Sequence, residues 1–234
     1  MERRFLWAAL ATLIYVPGCL ALDREGPLAQ LALGLTTWIL LWRIARGSGV
    51  APRFIICAVI LATCGEVVFS LLWGLYTYQH ALIPLYVPPG HGIFYCLAAY
   101  AARQRWLEER QQQLRAWVLA LGTAIAAVSL VFFGDTWGTL WWLGAAALLL
   151  RAEKPVLLSA CFVFTTLMEW AGTGIGNWIW HREVPGIGLT SANPPAGVGI
   201  LYVILDLLVV TLVAALDRRA YAAQAPIEAS PAGG

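Results

Sequence analysis

Apolar residues along this chain run in long blocks separated by short polar segments. The blocks cover residues 5–22, 27–45, 53–75, 87–102, 115–133, 137–150, 155–175 and 196–216. A transmembrane helix takes about 20 consecutive apolar residues. The pattern therefore predicts an all-α, polytopic integral membrane protein with about eight transmembrane helices, the fourth and sixth of them short. Arg and Lys gather between alternate blocks: Arg3 and Arg4, then Arg43, Arg46 and Arg53, then Arg103, Arg105, Arg110 and Arg115, then Arg151 and Lys154, then Arg218 and Arg219. Only Arg24 and Arg182 fall on the other side, leaving 13 of the 15 Lys and Arg residues together. The positive-inside rule then predicts a multi-pass protein of the cell (inner) membrane with both termini cytoplasmic. An odd number of spans would scramble this separation. Trp137, Trp141, Trp178 and Trp180 fall at the expected outer boundary and Trp42, Trp106 and Trp117 at the inner one, where indole rings anchor helices.

Composition agrees with this reading. The 234 residues are 60% hydrophobic with a mean hydropathy of +0.73, and only 12% are charged, against about 25% in a soluble domain. That excludes a disordered chain, a coiled coil and an ordinary cytosolic enzyme. A net charge of +2 gives no concentrated basic face, so no nucleic-acid partner is expected. The five cysteines, Cys19, Cys57, Cys64, Cys96 and Cys161, all fall inside apolar blocks without a C-x-x-C pair and read as core residues. Gly172–Gly176 is glycine-rich but follows a span and lacks the strand and lysine of a phosphate loop. Met1-Glu2-Arg3-Arg4, an apolar run and Val16-Pro17-Gly18-Cys19 have the outline of a lipoprotein signal peptide. Cleavage there would leave seven spans, so the first span is expected to be retained.

The chain also repeats itself. Thr63-x-x-Glu66-x-x-x-Ser70 returns 103 residues later as Thr166-x-x-Glu169-x-x-x-Thr173. Each copy continues into glycine and an aromatic pair, Gly74 with Tyr76 and Tyr78, then Gly176 with Trp178 and Trp180. Each then reaches a double proline, Pro88-Pro89 or Pro194-Pro195, ahead of the next span. Three matches in one order predict a tandem duplication: a four-span repeat over 1–102, a cytoplasmic linker over 103–114, a second repeat over 115–219 and a disordered tail over 220–234. Four is even, so the copies share one orientation and should be related by a pseudo-two-fold axis along the membrane normal. The outer loops 76–88 and 177–195 are expected to face each other across it.

The polar residues cluster in those same segments. His80, His91 and His181 all lie in or beside the two outer loops. Glu66 is 13 residues from Arg53 and Glu169 is 14 from Pro155, which puts both roughly 20 Å from the inner boundary. An intramembrane carboxylate costs a few kcal/mol and normally faces the bundle interior for a purpose. Asp206 lies in the last span, where the first repeat has Ala99, and His91 has no counterpart histidine. The expected catalytic cluster is Glu66, Glu169, His91, His181 and Asp206, with Tyr76, Tyr78, Trp178, Trp180, Asn177, Ser70 and Thr173 binding the substrate. Two uses fit a polar cavity open to the outer face. One is metal-free acid/base chemistry, with aromatic walls stabilising a developing carbocation; the other adds one divalent metal on His80, His91 and His181. A third reading is structural, with the carboxylates bonding Thr and Ser across the repeat interface.

The segment Glu169-Trp170-Ala171-Gly172, followed by Gly176, Trp178, Trp180 and Pro185, resembles the Glu-x-x-Gly…Gly-x-aromatic-x-aromatic…Pro pattern of the carotenoid hydratase and membrane lycopene cyclase groups. The resemblance covers 20 to 30 residues per repeat. It implies proton-initiated addition to, or cyclisation of, an isoprenoid double bond, with Glu169 and Glu66 as acids. The chain departs from the pattern in lacking a Pro-x-Glu-Glu pair and in carrying histidines in its outer loops. The leading expectation is an enzyme acting on a membrane lipid or isoprenoid that arrives sideways from the bilayer. A small proton- or cation-coupled transporter and an assembly factor of a membrane complex are the alternatives.

Overall fold

In the computed structural model, which describes residues 2–224, prolines start helices and glycines stop them. Pro27, Pro52 and Pro155 open helices at positions where the missing N–H has no intrahelical partner, and Gly49, Gly134 and Gly176 close them in the left-handed conformation. The helices are α1 (Glu2–Leu22), α2 (Pro27–Ser48), α3 (Pro52–Glu66), α4 (Val87–Ala101), α5 (Arg105–Glu108), α6 (Gln111–Phe133), α7 (Thr136–Arg151), α8 (Pro155–Ile175) and α9 (Ile200–Gln224). Two three-residue strands, β1 (Tyr76–Tyr78) and β2 (Trp178–Trp180), are the only sheet among the described residues.

The chain is helical and has the character of a membrane protein. Among the described residues six helices are long and apolar enough to cross a membrane: α1, α2, α3 with its continuation to Leu72, α6, α8 and α9. This corrects the expected count of eight. Helices α4 and α7 occupy the expected places but have 15 and 16 residues, below the usual 17–25. Ten of the fifteen residues of α4 are buried, because it packs against α2, α3 and α8. The last block also begins later than its apolar run, at Ile200, because the prolines and glycines of 194–199 hold that segment in a loop. Helix α9 continues to Gln224; the remainder of the expected tail lies outside the described residues.

Element order repeats: α1-α2-α3-β1-α4 is followed, after α5, by α6-α7-α8-β2-α9. The halves interlock, with α4 packed on α8 and α3 on α9. The segments after α3 and α8 meet as an antiparallel ladder in which Tyr76 faces Trp180, Thr77 faces Ile179 and Tyr78 faces Trp178. One difference in spacing has a structural cause. Tyr76 follows Glu66 by ten residues but Trp178 follows Glu169 by nine. The extra residue is taken up by a π-helical turn over Val67–Leu72, with the Trp73 N–H donating to the Val68 carbonyl at 2.8 Å.

Loop 191–199 is seated on α7 through close backbone approach. A Cβ on Gly197 would lie 2.1 Å from the Trp142 backbone nitrogen, an atom that cannot move without displacing α7. Gly197→Ala is expected to cost about 1–3 kcal/mol or more, read as a lowered midpoint of thermal unfolding in detergent. Gly90→Ala, with open space around it, should shift it far less.

Candidate functional site

Each glutamate lies under the strand that follows its own helix. Gly74 (φ 73°) and Gly176 (φ 91°) adopt a conformation that costs a side-chain-bearing residue strain. The chain therefore leaves each helix sharply and folds back across its end. Strand alternation then buries residues 76, 78, 178 and 180 and turns Thr77 and Ile179 outward.

This arrangement lays the four aromatic side chains on the two carboxylates. The Tyr76 and Tyr78 hydroxyls donate to Glu66 Oε2 at 2.6 and 2.7 Å. The Trp178 and Trp180 indole N–H groups donate to Glu169 Oε2 at 2.8 and 3.0 Å. Burial, followed by the Glu66 charge, holds both phenols well above the ordinary tyrosine range, so they remain O–H donors. The rings also pack on one another, with Tyr76 4.5 Å from Trp180 and Tyr78 5.9 Å from Trp178 between centroids.

The second oxygens differ. Glu66 Oε1 lies 2.9 Å from His91 Nε2, in a pair that is buried on both sides. On the far side of the ring, His91 Nδ1 is buried without a hydrogen-bond partner among the described residues. Glu169 Oε1 accepts no hydrogen bond among the described residues, and no Arg, Lys or His pairs with that carboxyl group. Glu66, Glu169, His91, Tyr76, Tyr78 and Trp178 all line one partly open cavity. Tyr202, from α9, also lines it and stacks its ring 5.0 Å from His91.

Several expected members lie elsewhere. His80 is exposed, with Nε2 3.3 Å from the Asp23 carbonyl oxygen, and His181 is exposed, its backbone N–H bonded to the Leu75 carbonyl. The three histidines therefore do not converge. Among the described residues no three His, Cys, Asp or Glu side chains form a group that could hold a metal ion, so the reading with a divalent metal loses its donor set. Asp206 is buried between α8 and α9, where the Cys161 thiol donates to it at 2.6 Å, and it does not line the cavity. Asn177 donates to the Leu20 carbonyl at 2.9 Å and to Asp23 Oδ2 at 3.0 Å. Thr173 donates to the Glu169 carbonyl at 2.7 Å, and Ser70 is buried in the π turn; neither lines the cavity. Thr63 and Thr166 bond carbonyls of their own helices, so the expected bridges from hydroxyl to carboxylate across the interface do not form.

Two buried aspartates escaped sequence reasoning. Asp23, after α1, accepts from Gln30, Tyr86 and Asn177 at 2.7, 3.1 and 3.0 Å. Asp135, before α7, accepts from Ser129 and from the backbone N–H groups of Gly138, Ala192 and Ala196 at 2.8–3.0 Å. Each ties the turn between the first two helices of its half to the outer loops. Asp135→Ala leaves four buried donors unpaired at about 1–3 kcal/mol each, not strictly additive. It should release loop 182–197 to proteolysis while Asp135→Glu does so less. Tyr202 was also missed as a wall, since in sequence it is one aromatic residue within the last apolar block. The chain matches no protein-family model, no curated protein and no solved structure.

Proposed function

We propose that this protein is an integral membrane enzyme that performs acid/base chemistry on a double bond of a lipid or isoprenoid substrate. One observation carries the reading: two carboxyl groups at repeat-related positions line one aromatic cavity with different partners. Glu169, with an open Oε1 and no cation beside it, is the acid. Its Oε1–H proton passes to one alkene carbon, the π electrons form the new C–H bond, and the other carbon becomes a cation. The faces of Tyr76, Tyr78, Trp178 and Tyr202 stabilise that cation. His91 Nδ1, oriented by Glu66 through Nε2–H, is the base. It takes a proton from the carbon next to the cation, giving isomerisation or cyclisation, or from a water that adds to it, giving hydration. The proton then returns from His91 to Glu169.

In the same reading the helical bundle lies in the cell membrane, with both termini cytoplasmic and the β1–β2 ladder outside. The separation of 13 of the 15 basic residues supports that orientation. A membrane-impermeant thiol reagent should label Thr77→Cys in intact cells and Arg105→Cys only after permeabilisation.

Untargeted mass spectrometry of lipids and pigments tests the activity, comparing cells expressing the wild type with cells expressing Glu169→Gln at matched levels. A species formed only with the wild type is expected, at the precursor mass plus water for hydration or unchanged for cyclisation and isomerisation. No such species in a host containing isoprenoid precursors, together with flux that follows the pH gradient, would replace the enzyme by a transporter.

A further inference from the structure

A second hollow adjoins the cavity and opens sideways. It is a groove between α1, α4 and α8, and it shares Val16, Phe94 and Met168 with the cavity wall. On α1 it extends from Ala9 to Pro17, about 12 Å at the helical rise, through the middle of the span. Its lining is hydrocarbon apart from Thr12, whose hydroxyl is bonded to the Ala8 carbonyl at 2.9 Å. It therefore offers no free side-chain hydroxyl, amide or charge. Leu13 and Leu167 at its margins are 53% and 45% exposed, so it is open on the side that meets lipid.

We propose that this groove holds the hydrocarbon chain of the substrate, and that Val16, Phe94 and Met168 form the threshold across which its reactive end enters the cavity. The proposal rests on the acid/base reading above for what happens in the cavity, and adds where the rest of the molecule lies. Continuity is its first support: a ligand reaching Glu169 from the bilayer by this route passes only apolar side chains until the threshold. Chemistry is its second, because a groove lined almost wholly by apolar side chains gains by burying apolar surface and loses by burying a polar group. The substrate class that follows is an amphipathic lipid with one unsaturated or polar end and a chain long enough to leave the cavity.

Binding tests this without requiring turnover. Purified protein in mild detergent is titrated with tritiated geranylgeraniol, a C20 chain, and with tritiated geraniol, a C10 chain too short to fill both hollows. The wild type is expected to bind the longer probe at least ten-fold more tightly. Ala9→Trp, which fills the deep end of the groove away from the cavity, should weaken the longer probe at least ten-fold and leave the shorter within about two-fold. Leu13→Trp fills the groove from its exposed margin and gives a second reading should Ala9→Trp fail to fold. Leu31→Trp, on an exposed face of α2, should change neither. Equal weakening of both probes, unchanged binding of the longer one in a folded variant, or no saturable binding by the wild type would overturn the groove as a chain site and leave it to bulk lipid. Glu169→Gln separates the two readings: it should abolish product in cells yet bind the longer probe like the wild type. A wild type that binds with the expected chain dependence but forms no product would keep the groove and sink the chemistry.

Discussion

Glu169→Gln is expected to abolish product formation, by about 100- to 10,000-fold, while the protein stays folded. The amide keeps an oxygen that can accept both indole N–H groups, so the bonds from Trp178 and Trp180 at 2.8 and 3.0 Å survive. What disappears is the acidic proton on the oxygen that faces the cavity. A purely structural role for the carboxyl group makes the opposite forecast, because the hydrogen-bonding frame is intact and turnover should be too. Measuring product per folded protein, with unfolding midpoints recorded in parallel, decides between them. Glu169→Leu is the matching control. It leaves two buried indole donors unpaired at about 1–3 kcal/mol each, so it should lose stability as well as activity.

Glu66→Gln should be nearly as severe for a different reason. The new amide can still accept from Tyr76 and Tyr78 through its oxygen, but its NH₂ then faces His91 Nε2. Two donors cannot share that contact, so the imidazole hydrogen moves to Nδ1 and the lone pair needed for the base is lost. Inverting a catalytic histidine tautomer costs on the order of 10⁴ in rate in the Ser-His-Asp case, and a fall of about that size is expected here. Stability should suffer little. Glu66→Ala, by contrast, strands two phenolic donors and one imidazole N–H in a buried site, at about 1–3 kcal/mol each, and is expected to reduce the yield of folded protein. Equal activity loss in Glu66→Gln and His91→Phe, without additivity in the double variant, would place the two residues in one unit. Retained activity in Glu66→Gln would remove the dyad from the mechanism.

The helices of this chain were readable because hydrophobic length, basic flanks and proline or glycine boundaries are local properties. Six of the eight apolar blocks became helices long enough to cross a membrane. The error in the count arose where tertiary shielding relaxed the length requirement: α4 is short because protein surrounds it. The carboxylates and their aromatic partners were legible for a related reason. A glutamate in an apolar span and an aromatic pair after a glycine stand out against their surroundings, and duplication marked each of them twice.

The histidines show where that kind of reading stops. His80, His91 and His181 are close in the pattern of loops, yet only His91 reaches a carboxylate. Helix α4 carries His91 into the core, whereas His80 and His181 sit in loops, where no periodicity fixes their direction. Such reading stops likewise at Asp206, whose partner Cys161 lies on a neighbouring helix, and at Asp23 and Asp135, whose donors come from up to 154 residues off. Sequence by itself determined an α-helical membrane chain, its internal repeat and the two glutamates, because hydrophobic length, helical spacing and self-similarity are written along the chain. Only the tertiary structure decided that one glutamate pairs with a histidine while its repeat-related twin keeps an open oxygen, because that difference depends on hydrogen bonds and cavity walls contributed by distant helices.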